Sequence, residues 1–117
     1  MEKVKLVCEV EFTLRMIGGK YKSLILYYLM EDGTKRFNEI KQFLSTISQK
    51  TLTNQLRELE ADGLISRHIY PEVPPRVEYS MTEKGKSLFP ILELMCDWGA
   101  THLDDRYELL NPQCDLS

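Results

Sequence analysis

Ile47-Ser48-Gln49-Lys50-Thr51-Leu52-Thr53-Asn54-Gln55-Leu56-Arg57-Glu58-Leu59-Glu60-Ala61-Asp62-Gly63 decides the fold. Ser48 suits an N-cap, where its hydroxyl meets a free backbone N–H. Ile47 before the cap and Leu52 inside the helix fit a hydrophobic staple. Leu52, Leu56 and Leu59 fall on one helical stripe, and Gly63 is a stop signal, so a helix is expected over about 49–62. At about 100° per residue, Lys50, Asn54 and Arg57 lie opposite that stripe, with Thr51 and Thr53 flanking them. The outward face is polar and carries no acid before Glu58.

Working outward, Phe37, Ile40, Phe43 and Leu44 make one stripe of a preceding helix over 37–44, joined through the short turn Ser45-Thr46-Ile47. Further upstream, a strongly apolar helix is expected over 20–31 and a short one over 12–17, stopped by Gly18-Gly19. Thr34-Lys35-Arg36 reads as an extended link. Downstream, 64–70 and 77–81 read as strands around the stiff loop Pro71-Glu72-Val73-Pro74-Pro75. Thr82 can cap a last helix. Its apolar stripe of Leu88, Ile91, Leu92, Met95, Trp98, Leu103, Tyr107 and Leu110 continues to Asn111-Pro112, with a kink near Phe89 imposed by Pro90.

This order predicts a mostly α fold with a small β-hairpin wing, a winged helix-turn-helix. One domain is expected over 1–117. It divides into a core over about 8–86 with its wing at 64–81, a C-terminal dimerisation helix over about 87–110, and a tail over 111–117.

The composition is that of an ordinary globular chain: 117 residues, 43% hydrophobic and 28% charged, with a net charge of −3. The distribution is more telling. Residues 34–86 hold nine basic and seven acidic side chains, whereas residues 87–117 hold one basic and six acidic. An acidic end cannot lie on phosphates. No run approaches the ~18 apolar residues of a membrane span, and Met1 to Val7 lack a leader's apolar stretch, so a cytoplasmic chain is expected. Three cysteines at wide spacing, Cys8, Cys96 and Cys114, argue against a disulfide framework. Cys96 is expected in packing and Cys114 in a frayed tail. Neither His68 nor His102 has a second ligand at a metal spacing, so no metal or cofactor is expected. No nucleophile–base pair or phosphate-binding glycine loop points to an enzyme; Gly18-Gly19-Lys20 lacks that loop's spacing.

The chemistry of the 49–62 face suits double-stranded DNA. Asn54 can bond adenine, Lys50 and Arg57 can bond guanine, and Ser48 and Gln49 at the helix start suit a phosphate. Arg67, His68 and Arg76 of the wing, expected on one side of the hairpin, are candidates for backbone or minor groove, and Arg36 and Lys35 ahead of the 37–44 helix could touch phosphate. Met95, Trp98, Leu103, Tyr107 and Leu110 leave apolar surface on the last helix, which suits a two-fold copy of the same chain. A winged helix serving only protein interaction is the competing reading, and it would not need the Lys50, Asn54 and Arg57 face.

The chain resembles the HxlR-type family of bacterial winged-helix regulators. The resemblance rests on residues 14–29, 36–44, 47–64, 70–85 and 88–99, with Ile47-Ser48-Gln49-Lys50 and Tyr70-Pro71-Glu72-Val73-Pro74-Pro75 the most specific segments. It implies a homodimeric, non-enzymatic DNA-binding repressor or activator of a near-palindromic operator. It also implies dimer contacts from the N-terminal helix (Val10, Phe12) and the C-terminal one (Leu92 with the residues named above), and a proline inside the latter. Cys8 matches a family position at which some members sense oxidants or electrophiles, so it is the candidate sensor; any small-molecule effector is unknown. Glu9 stands where the family has proline, and Tyr21 where tryptophan is common.

Overall fold

A computed structural model describes residues 1–114, and its elements run α1 (Glu9–Ile17), α2 (Lys22–Asp32), β1 (Lys35–Arg36), α3 (Phe37–Leu44), α4 (Gln49–Ala61), β2 (Ile65–Tyr70), β3 (Arg76–Met81), α5 (Glu83–Lys86) and α6 (Phe89–His102). This is the winged helix-turn-helix order expected above. The core is built on α2, where Ile25, Leu26 and Leu29 are shut away from solvent. Ile40, Ile47, Leu52, Leu56, Leu59, Leu64, Ile65 and Leu92 close around them. Each fully buried aliphatic side chain is worth about 1.5–3 kcal/mol, so this one cluster carries most of the fold's driving force.

Four expectations need correction. Helix α1 starts at Glu9, three residues early. Cys8 is extended at its N-cap, Glu9 and Glu11 favour the positive helix end, and the Glu11 carboxylate accepts the Val7 N–H at 2.7 Å. The 34–36 link contains a strand. Lys35 pairs with Tyr79 and Arg36 with Glu78, which makes β3 the centre of an antiparallel sheet ordered β1-β3-β2. Two residues are too few to show periodicity.

The last helix is not one kinked rod but two. Thr82 does cap α5, its hydroxyl accepting the Gly85 N–H at 3.0 Å. A new helix, α6, then begins with Pro90 in its first turn, where no N–H is needed. It ends at His102, so Leu103, Tyr107 and Leu110 are not on a helix. Asp104 takes the Arg106 N–H at 3.0 Å and its guanidinium at 2.8 Å, a local turn that competes with helix. Within α6, Leu92 is 2% exposed and belongs to the chain's own core rather than to an outer face.

The fourth correction concerns the cysteines. Cys96 and Cys114 are bonded, with Cα atoms 5.8 Å apart, because the chain after α6 folds back. Of the expected 111–117 tail, residues 115–117 lie outside the described residues.

The wing is seated by close contact. Gly63, at φ +76°, turns the chain out of α4, and the Thr82 hydroxyl donates to its carbonyl at 2.6 Å. Gly85 lies against the Leu64 backbone, and a methyl there would run into the Leu64 carbonyl and the Met81 side chain. Gly85→Ala is expected to lower the unfolding free energy by about 1–3 kcal/mol in a urea titration. Gly99→Ala on α6, whose added methyl meets open space, should raise it by about 0.5–1 kcal/mol.

Candidate nucleic-acid interface

Helix α4 is held by one side and bare on the other. Leu52 and Leu59 are wholly buried and Leu56 is 2% exposed. Across the helix, Lys50, Asn54 and Arg57 are exposed, and Thr51 and Thr53 are half-buried beside them. The start of the helix is fixed by Ser48, whose hydroxyl accepts the Thr51 N–H at 3.1 Å and lies 2.9 Å from the Thr51 hydroxyl. Thr53 bonds back to the Gln49 carbonyl at 2.8 Å. Ser48 thus works as the cap, while Gln49 stands exposed at the helix start.

Charge is allocated unevenly around this face. Lys22 of α2 meets Glu58 at 2.9 Å on the flank of α4, and Arg67 of β2 meets Glu60 at 3.5 Å. Those pairings use up the acids of α4. Among the described residues, Lys50 and Arg57 have no carboxylate within ion-pair distance. Arg36, at the start of α3, is exposed as well; its backbone N–H donates to Glu39 at 2.9 Å, which leaves the guanidinium outside the cap.

The wing does not present its three basic residues together. The register sets His68 opposite Glu78 and Tyr70 opposite Arg76, so these four share one face. Arg67, opposite Tyr79, is on the other face with the side chains that pack inward. On the outer face, Arg76 is enclosed. Its guanidinium lies 3.9 Å from the centre of the Tyr70 ring, with Glu72 at 3.2 Å and Glu78 at 3.9 Å. A hydrogen bond to Glu78 holds the Tyr70 phenol above its ordinary pKa. On the inner face, burial raises the Tyr79 phenol, with the Arg67 charge opposing. His68 is exposed and meets Tyr70 edge-on at 4.3 Å. Sequence reasoning identified these cations but not their partners. The alternation of paired strands was the available signal, and it needed the register to be read.

The terminal elements offer a different surface. Val10 is 65% exposed and Phe12 48% on α1, as are Met95 (48%) and Trp98 (66%) on α6. Trp98 stacks on His102 at 4.1 Å between ring centres, which leaves a flat aromatic plate facing outward. Both helices pack on α2. Cys8 is exposed at the start of α1.

A family model described as HxlR-like helix-turn-helix matches residues 16–107. The chain is 52% identical over 107 residues to the HTH-type transcriptional regulator YtcD of Bacillus subtilis, covering 92% of this chain and 84% of that one. It is 54% identical over 99 residues to the HTH-type transcriptional regulator BH0655 of Halalkalibacterium halodurans, covering 83% and 88%. The solved structure of the redox regulator HypR in its oxidised form superposes with a TM-score of 0.78 at 55% identity, over 83% of this chain and 99% of that one.

The cap is the local device that sets where the α4 face begins. Ser48→Ala is expected to cost about 1 kcal/mol of unfolding free energy, with the midpoint of chemical denaturation falling and its slope unchanged.

Proposed function

Because the chain belongs to the HxlR-like helix-turn-helix family and is a transcriptional regulator of that class, we propose that it binds a near-palindromic operator as a homodimer. In this reading α4 enters the major groove. Asn54 reads adenine, and Lys50 and Arg57 read guanine; Thr51 and Thr53 line the flanks, with Gln49 and the helix start at a phosphate. The observation that carries this is the α4 face itself: two exposed cations without acidic partners among the described residues, standing opposite a buried leucine stripe.

Arg36 and His68 are the next contributors, from either side of α4. Arg67 and Arg76 must first give up their carboxylates and so contribute less. Residues 8–86 form the DNA-binding part. Dimer contacts come from Val10 and Phe12 of α1, from Met95 and Trp98 of α6, and from Leu103, Tyr107 and Leu110 beyond it. A two-fold pair would set the two copies of α4 about 34–36 Å apart, one turn of DNA. The protein works in the cytoplasm and has no enzymatic role. It responds to oxidants or electrophiles, a reading supported by the likeness to HypR and by the exposed Cys8 thiol at the start of α1.

Gel-shift titration against the DNA upstream of its own gene tests the first part. Binding should weaken steeply with salt. Lys50→Ala and Arg57→Ala should each weaken it by about tenfold to a hundredfold, with stability changed by less than about 0.5 kcal/mol. Full-strength binding by both variants would remove α4 as the reader. The dimer is tested separately. Trp98→Glu should sediment as a monomer and lose at least about tenfold in operator affinity, whereas a dimer that persists would move the interface elsewhere.

A further inference from the structure

We infer that Cys96 and Cys114 form a reversible dithiol–disulfide latch that fastens the chain after α6 over the α2–α6 face. The inference rests on the regulator reading in one respect only: a DNA-binding protein works in a reducing compartment, where a disulfide is a transient signal rather than a permanent staple.

The segment over 103–113 forms no helix or strand. Its own apolar side chains hold it poorly, since Tyr107, Leu109 and Leu110 are each more than half exposed. Beyond its root, where the Leu103 N–H donates to the Gly99 carbonyl of α6 at 2.9 Å, one hydrogen bond among the described residues ties it to the rest of the fold, from the Asn111 side-chain amide to the Phe43 carbonyl at 2.8 Å. Its internal bridge, Arg106 to Asp104, anchors it to nothing else. The remaining tie is the bond from Cys114 to Cys96, in the middle of α6. Beneath the segment is a cavity of about 390 Å³, with Leu24 and Tyr27 of α2 and Met95 of α6 on one side and Leu109 and Pro112 on the other. With the bond in place the segment roofs this cavity. Without it, the single exposed Asn111 hydrogen bond must hold residues 104–113 against their conformational freedom, and the roof lifts.

The chemistry balances with a hydroperoxide as oxidant. One thiolate attacks the peroxide oxygen, the O–O bond breaks, and the sulfur becomes a sulfenic acid as the leaving alkoxide takes a proton. The second thiolate attacks that sulfur, the S–S bond forms, and water leaves. Two thiols are oxidised and one peroxide is reduced to an alcohol and water. A dithiol reductant reverses the step by exchange. Cys8, on α1, takes no part in it.

The full chain is reduced with dithiothreitol, desalted, treated with one equivalent of hydrogen peroxide and alkylated with N-ethylmaleimide. Intact mass should show three adducts before oxidation and one after, and for Cys8→Ser two before and none after. Amide exchange of 103–113 should be slowed at least about tenfold in the oxidised protein and return to the fast rate on re-reduction. In Cys114→Ser it should be fast under both conditions. Covalent dimers through Cys8 that leave Cys96 and Cys114 open to alkylation would overturn the proposal. So would equal exchange of the segment in the two states. Neither readout uses DNA, so a failure here is separate from a failure of the operator-binding reading.

Discussion

Leu52, Leu56 and Leu59 can be buried in only one orientation of α4, and that orientation determines what the helix shows to solvent. Turning the helix half a revolution would expose three leucines, at about 1.5–3 kcal/mol each. It would also push Lys50 and Arg57 into a core with no carboxylate to meet them, a further penalty of several kcal/mol per ion. The two costs add, so the helix is locked by its wrong side as firmly as by its right one. Ser48 and Gly63 fix the two ends. The backbone beneath the outward row is therefore fixed before any ligand arrives, and the ordering left to oppose binding is that of the exposed side chains themselves, Lys50 and Arg57 above all.

A chain with a net charge of −3 can still present a cationic face if its acids are spent locally. Glu58 and Glu60 neutralise Lys22 and Arg67, and Glu72 and Glu78 enclose Arg76. The first of these joins α2 to α4, the second joins the wing to α4, and the Arg76 pairs lie within the wing itself. Among the described residues, Lys50 and Arg57 are left without an ion pair. The acids beyond α6 lie in a different part of the chain, where Asp104 is turned inward on Arg106 and held below the usual carboxylate range by that bond.

Elements anchored by a long apolar repeat were legible in the sequence. The 37–44 helix, the α4 cap and both long strands fall within a residue or two of their expected places because periodicity and capping are local properties. What escaped was decided at a distance. β1 exists only because β3 supplies its partners. The stripe from Leu88 to Leu110 suggested one rod, but Pro90 opens a new helix and the Asp104 turn closes it, so apolar spacing outlasted the helix that should have carried it. The bond between Cys96 and Cys114 depends on a chain reversal that no spacing encodes. At the site, the α4 residues could be named from one helix alone. The standing of Arg67 and Arg76 could not, because it turns on carboxylates that only the sheet register and the α4–β2 contact bring near.

Helix α2 is in contact with α1, α3, β3 and α6, so any influence of the terminal elements on α4 must cross it or go around it. Crossing it is costly. Ile25, Leu26 and Leu29 are packed against the same cluster that holds α4, and a close-packed aliphatic core resists graded deformation. Going around it is cheap, because the surface of α6 can change without moving a core atom. Met95 and Trp98 face outward on the same helix that carries Cys96, and the segment bonded there lies over Met95. In the proposed homodimer, a change in how that segment sits would alter the face offered to the second copy while each copy of α4 stayed fixed in its own domain. Under that proposal, the spacing and tilt between the two copies of α4 is the quantity that such an arrangement would leave free to be regulated.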